Sequence, residues 1–179
     1  MGHDLPQKAR PADDTTEDEL VTVTPTLQAP PFPGIIKKPQ QGEAVKKWQQ
    51  RMQDRGWHIK VDGIYGTESE RLCKNFQTEK NLQVTGIVDE TTWNKTWTAP
   101  SAVAPPYPGH DLKQPPIMNG AEVRLWQEEI NMRGWPITVD GSYGPQSEEI
   151  CRQFQKEHAL MVDGIVGRNT WTNTWVETI

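Results

Sequence analysis

Apolar residues in this chain recur at helical spacing in two separated stretches, and the pattern is the same in both. Val45, Trp48 and Met52 fall at i, i+3 and i+7, one face of a helix; Val123, Trp126 and Ile130 repeat it further along. The spacing predicts a first helix over 43–55 and again over 121–133. Gly56 and Gly134 follow where a helix end favours a positive φ. Leu72, Cys73 and Phe76, then Ile150, Cys151 and Phe154, mark a second helix that starts near Thr67 and Pro145 and reaches Lys80 and His158. Thr67-Glu68-Ser69-Glu70 reads as a capping box, and Pro145 fits the first helical position of the later copy. A short third helix is predicted over 90–96 and 168–174, after a Gly-Ile-Val turn.

The two stretches are copies. Residues 42–97 return as 120–175 without a gap, with about half of the aligned positions identical. Arg55-Gly56-Trp57 matches Arg133-Gly134-Trp135. Val61-Asp62-Gly63 and Tyr65-Gly66 match Val139-Asp140-Gly141 and Tyr143-Gly144. A duplicated compact unit favours a binding array, because two weak sites on one chain gain avidity through effective concentration. Each unit is near the lower size limit for independent folding. All eight Trp lie inside the units, where large aromatics supply apolar area to a small core.

Four segments follow from composition: an extended acidic tail over 1–29, a first unit with a Pro-rich arm over 30–97, a Pro-rich linker and arm over 98–119, and a second unit over 120–179. The arms repeat too, as Ala29-Pro30-Pro31-Phe32-Pro33-Gly34 and Ala104-Pro105-Pro106-Tyr107-Pro108-Gly109. A plain spacer has no need to repeat an aromatic, so Phe32 and Tyr107 are expected to dock on their own units. The expected fold is all-α: two tandem small three-helix domains joined by a Pro-rich linker that limits their relative motion without abolishing it.

Charge narrows the function. The net charge of −5 is concentrated in the tail, where Asp4, Asp13, Asp14, Glu17, Asp18 and Glu19 outweigh Lys8 and Arg10. The units are nearly neutral, with no basic stripe for phosphate, so nucleic acid is not an expected partner. No apolar run approaches membrane-spanning length, and the first residues lack the apolar stretch of a secretory signal. Cys73 and Cys151 occupy one apolar position in both copies and read as small buried hydrophobes. A catalytic thiol needs a histidine supplied by the same unit, but His58 corresponds to Pro136 and His158 to Lys80. There is no His-Glu-x-x-His spacing, and three short helices hardly supply a cleft with two placed acids. His3-Asp4 and His110-Asp111 recur in a Gly-His-Asp-Leu tetrapeptide without a further shared histidine. Catalytic residues, metals and cofactors are therefore not expected.

The motifs resemble a known family. Val45-x-x-Trp48-Gln49, Gly56-Trp57, Val61-Asp62-Gly63-x-Tyr65-Gly66, Phe76-Gln77, Leu82-x-Val84-x-Gly86-Ile87-Val88 and Thr92-Trp93 are similar to the peptidoglycan-binding domain of bacterial and phage cell-wall proteins. The second copy is closer still at Val162-Asp163-Gly164-Ile165-Val166-Gly167; the first departs there with Thr85 and Asp89. The resemblance covers about two thirds of the chain. It implies a three-helix fold and non-catalytic binding of peptidoglycan, and the Trp-rich, Pro-armed version looks like modules of actinobacteria and their phages. Trp57, Tyr65, Trp135 and Tyr143 flank turns and are expected to wall a glycan or stem-peptide groove. Asp62, Gly63, Gly66, Asp140, Gly141 and Gly144 shape its turns and bring the carboxylates to the ligand. The first-helix face is not expected to bind, because Lys46, Lys47, Gln50 and Arg51 become Arg124, Leu125, Glu128 and Glu129. The implied context is the wall-binding part of a phage endolysin or secreted wall hydrolase. The alternatives are a virion decoration protein, whose tail would meet other virion proteins, and a protein-interaction adaptor on the same fold. The expected location is the bacterial cell wall, outside the cytoplasm.

Overall fold

In the computed structural model, residues 27–176 are described, so most of the acidic tail and its Gly-His-Asp-Leu copy lie outside the described residues. Each repeat folds as three helices with one two-stranded ladder. The first holds β1 (Gln40–Gln41), α1 (Glu43–Asp54), β2 (Ile64–Tyr65), α2 (Thr67–Glu79) and α3 (Glu90–Thr98). The second holds β3 (Met118–Asn119), α4 (Ala121–Met132), β4 (Ser142–Tyr143), α5 (Pro145–Glu157) and α6 (Arg168–Trp175). Among the described residues the fold is thus all-α apart from four strands of two residues, too short to leave an alternating pattern in the sequence. Gln40 pairs with Tyr65 and Met118 with Tyr143, both antiparallel.

Helix ends explain much of the packing. After α1, the Gly56 amide donates to Gln53 O and the Trp57 amide to Met52 O. That is a Schellman ending, with Gly56 at φ 85°. The same pair of bonds closes α4 through Gly134 and Trp135. The motif delivers the residue after the glycine onto the last turn of its own helix, so Trp57 packs beside Met52 and Trp135 beside Ile130. The capping box expected from Thr67 to Glu70 does not form. Gly66 is the N-cap, Thr67 is already helical, and Glu70 instead pairs with Lys74 at 2.8 Å and Lys38 at 3.4 Å. Pro145 does take the first turn of α5.

Each repeat has its own apolar cluster. Trp48, Trp57, Tyr65, Leu72, Phe76 and Trp93 anchor one; Trp126, Trp135, Tyr143, Ile150, Phe154 and Trp171 anchor the other. The arms dock as expected. The Trp93 indole donates to Pro30 O at 2.8 Å with Phe32 edge-on to it, and Trp171 donates to Pro105 O at 2.9 Å with Tyr107 edge-on. Beyond the arms, Ile36 bridges Val88 and Leu112 bridges Val166, so the leading segment ties down the second turn of each repeat.

The copies also meet each other, through the same segment of each. The His58 amide donates to Arg133 O at 2.8 Å, and the His58 ring stacks on Trp135 at 3.9 Å. Asn75 donates to Met132 O, and the Arg133 guanidinium lies over Trp57 and reaches Glu79 at 3.1 Å. A Cβ on Gly134 would fall 2.4 Å from His58 O, so only glycine lets the backbones approach this closely. Arg133 and Glu79 are almost fully buried, so this seam carries a buried ion pair between the repeats.

Candidate functional site

The turn side of each repeat is organised by buried glutamines. Gln49, on α1 and 1% exposed, donates to Asp62 Oδ1, Ile64 O and Ser69 Oγ, and accepts from the Gly63 amide at 2.7 Å. Gln127 makes the matching set to Asp140 Oδ1, Ser142 O, Ser147 Oγ and the Gly141 amide. One buried side chain thereby satisfies the inward-facing polar groups of the turn, which water would otherwise have to do. The device recurs one helix later. Gln77 holds Thr85, Gly86, Ile87 and Thr92, and Gln155 holds Asp163, Gly164, Ile165 and Thr170. These four glutamines sat inside the recognised motifs as Trp48-Gln49 and Phe76-Gln77, yet nothing in their spacing announced the role. Their signal is a polar residue at an apolar helical position, repeated four times.

The aspartates are fixed by this scaffold. Asp62 Oδ1 also accepts the Ile64 amide at 2.9 Å, and Asp140 Oδ1 the Ser142 amide at 2.8 Å. The Ile64 amide first, then Gln49, holds the Asp62 carboxyl below its usual range; Ser142 and Gln127 do the same for Asp140. Both are thus anions at neutral pH, with Asp62 side chain 26% exposed. Two depressions flank Ile64, and Asp62 lines the smaller. One, about 470 Å³, is bounded by Lys38, Gln40 and Gln41 on one wall and Ile64, Gly66 and Thr67 on the other. A smaller one, about 140 Å³, runs past Lys60 and Asp62 to Ser69. Ile64 is 53% exposed between them. Gly66 and Gly144 bring no capping side chain to the helices they start, which leaves this rim open.

The structure separates the aromatics expected at the groove from the groove itself. Trp57 is 0% and Trp135 3% exposed. Both are packed edge-on against Phe76 and Phe154 and covered by the inter-repeat seam. The expectation that their rings wall a ligand groove is corrected: the Schellman ending turns each inward. Tyr65 and Tyr143 line up beneath the turns but are also fully buried. Their hydroxyls donate to Gly86 O at 2.7 Å and Gly164 O at 2.9 Å, which ties the first turn of each repeat to the second. Burial raises both phenols well above their ordinary range. They support the floor; the surface above them belongs to Asp62, Ile64 and Gly66, and to Asp140, Ser142 and Gly144, with Gly63 and Gly141 buried beneath the turns. Cys73 and Cys151 are buried free thiols, and burial pushes both up to about 12. Among the described residues no group of three or more His, Cys, Asp or Glu is placed to hold a metal, and no helix is long and apolar enough to cross a membrane.

The glutamine-pinned Asp-Gly turn above a small three-helix core is built twice, and comparison with known proteins identifies the family of the unit. Residues 41–95 and 119–172 match the family described as "Putative peptidoglycan binding domain". The chain belongs to that family. It is 30% identical over 172 residues to the N-acetylmuramoyl-L-alanine amidase CwlL of Bacillus licheniformis, over 83% of this chain and 48% of that protein. It is 27% identical over 108 residues to the N-acetylmuramoyl-L-alanine amidase CwlM of Mycobacterium tuberculosis, over 60% of this chain and 26% of that protein. Among solved structures it is similar to a fused Zn-dependent amidase/peptidase/peptidoglycan-binding domain protein of Clostridium acetobutylicum. There the identity is 26% and the TM-score 0.37, over 44% of this chain and 38% of that one. The chain spans about half the length of CwlL, and less of CwlM.

Proposed function

We propose that the chain is a non-catalytic peptidoglycan anchor that binds through the exposed turn of each repeat. The observation that carries this reading is the pairing of an identical pinned carboxylate, Asp62 and Asp140, with an uncapped, glycine-opened helix start four residues on. A fixed anion beside free backbone donors suits the amides, hydroxyls and ammonium groups of glycan and stem peptide. The binding residues are Asp62, Gly63 and Gly66 with Asp140, Gly141 and Gly144, supported from below by Tyr65 and Tyr143; Trp57 and Trp135 act only through the fold. The first-helix face has no part. Lys46, Lys47, Gln50 and Arg51 of one repeat stand against Arg124, Leu125, Glu128 and Glu129 of the other, so only the first is basic.

The relatives named above are wall amidases matched over half their length or less, which favours the wall-targeting part of a hydrolase, of bacterial or phage origin. Actinobacterial sacculi are the first substrate to try. The chain should co-sediment with purified sacculi and release no soluble muropeptides over hours. Equal recovery in the supernatant with and without sacculi, across several wall types, contradicts the binding. Time-dependent clearing of the suspension contradicts the non-catalytic assignment.

A further inference from the structure

Each repeat contains the pinned turn twice, once between its first and second helices and once between its second and third. That gives four turns of one design. Three of them keep both an Asp on the turn and a Gly before the next helix: Asp62 with Gly66, Asp140 with Gly144, and Asp163 with Gly167. The fourth has Thr85 and Asp89, and the Asp89 carboxylate accepts the Thr92 amide at 2.7 Å, which fills its own helix start. The third open turn has no role in the function proposed above.

It is nevertheless built as a groove. A depression of about 320 Å³ lies beside Asp163 and Gly167, with Leu160 and Met161 on its apolar side. Met161 is 78% exposed and Val162 49%, an apolar edge with nothing packed over it. Asp163 Oδ1 accepts from Gln155 at 2.8 Å and from the Ile165 amide at 2.9 Å, the geometry of Asp62 and Asp140. The opposite wall comes from the arm and α6. Tyr107 donates to Asp111 Oδ1 at 2.6 Å, and the Arg168 guanidinium lies 4.8 Å from the Tyr107 ring. One groove therefore presents two carboxylates and a guanidinium, each held in place, around an apolar edge.

We infer that this groove of the second repeat is a third ligand site, and that it takes a short peptide end carrying both an ammonium and a carboxylate. The ammonium meets Asp163 and Asp111, and the carboxylate meets Arg168 as a charge-assisted pair. The aliphatic part of the peptide lies on Leu160 and Met161. Stem peptides of peptidoglycan have this chemistry, so the ligand class rests on the wall-binding reading of the two other open turns. The first repeat lacks the site because Asp89 and Thr85 replace Gly167 and Asp163.

The test uses the whole chain, uniformly ¹⁵N-labelled, titrated with the free tripeptide L-Ala-γ-D-Glu-meso-diaminopimelate, alongside retention on sacculi. Amides of 163–169 should shift and saturate, while those of 85–91 stay still. Gly167→Asp, which copies the closed turn of the first repeat, should weaken the tripeptide effect at least tenfold. So should Arg168→Gln, which adds no carboxylate near Asp111. Sacculus retention of both variants should persist through the other turns. Absent shifts at 163–169, or shifts unchanged in both variants, overturn the third site. Retention of the wild type without those shifts removes the third site and leaves the wall anchor standing; shifts without retention do the reverse.

Discussion

Two regions of this molecule are equally alike between the copies and have opposite fates. Arg-Gly-Trp, at 55–57 and 133–135, is packed into the interior; in the Asp-Gly turn, at 62–63 and 140–141, the glycine is buried but the aspartate is open to solvent. In the first region likeness serves packing. Arg55 donates to Thr96 O and Ala99 O, and Arg133 to Trp175 O, so both arginines close the C-terminus of the third helix, where a cation is favoured. The segment then forms the seam, and there the copies differ in detail: Arg133 also grips Glu129 and Glu79, and His58 faces Glu157 at 3.1 Å. In the second region likeness serves presentation, since the glutamine beneath is buried and the carboxylate above is not. Identity between repeats thus marks a shared duty, and burial decides which duty it is.

The sharpest break of this comparison is at Arg133. Arg133→Ala removes the cation that Glu79 and Glu129 share, although Lys80 still pairs with Glu79 at 2.7 Å, and should cost about 3 kcal/mol, the low end of breaking a buried ion pair. Chemical denaturation reads this directly. A loss below about 1 kcal/mol would mean that water reaches the seam and that it does not hold the repeats together.

Cleavage within 98–104 separates the repeats without touching either turn. Two folded halves are expected, each with its own cooperative transition, because each has its own apolar cluster. The half bearing Trp135 should melt lower than the intact chain, since the His58 stack is lost. Each half should bind sacculi about 100-fold more weakly than the whole, the scale of lost avidity. Failure of either half to fold would make the seam part of one common core.

A smaller effect is expected from His158. Its ring stacks on Phe154 at the seam, 3.1 Å from where a Cβ on Gly56 would lie. Burial lowers its pKa and nearby Arg133 adds to this, against an opposing pull from Glu157. A base depressed in the folded state is neutral there while the unfolded chain takes up a proton. Its contribution is therefore intact above the ordinary histidine range and declines as pH falls through that range towards the folded value. Melting followed from pH 7.5 to 5 should show this decline, and His158→Phe should flatten it. An unchanged slope in the variant would assign the acid sensitivity elsewhere.

Much of this was legible from spacing. The predicted helices over 43–55, 67–80 and 90–96 end within two residues of α1, α2 and α3, because apolar period, Gly56 and the Gly-Ile-Val turn are all local signals. Docking of Phe32 and Tyr107 followed from a repeated aromatic that no linker needs. The fates of Trp57 and Trp135 were not legible. A Trp after a helix-ending glycine faces a groove or the core according to whether the Schellman bonds form, and the sequence is the same either way. The seam was hidden for a similar reason: His58 and His158 correspond to Pro136 and Lys80, so they read as unshared residues when they are the points at which unlike partners meet.

The central claim is that the open turns, not the charged first-helix face, hold the wall. It is tested most directly by comparing sacculus affinity of Asp62→Ala with Asp140→Ala against Lys47→Ala with Arg124→Ala, both double variants shown to be folded by circular dichroism. The turn variant should lose at least about tenfold in affinity, the worth of one charge-assisted hydrogen bond per site, while the helix variant stays near wild type at moderate salt. Greater loss in the Lys47 and Arg124 variant, with the aspartate variant unchanged, would contradict it.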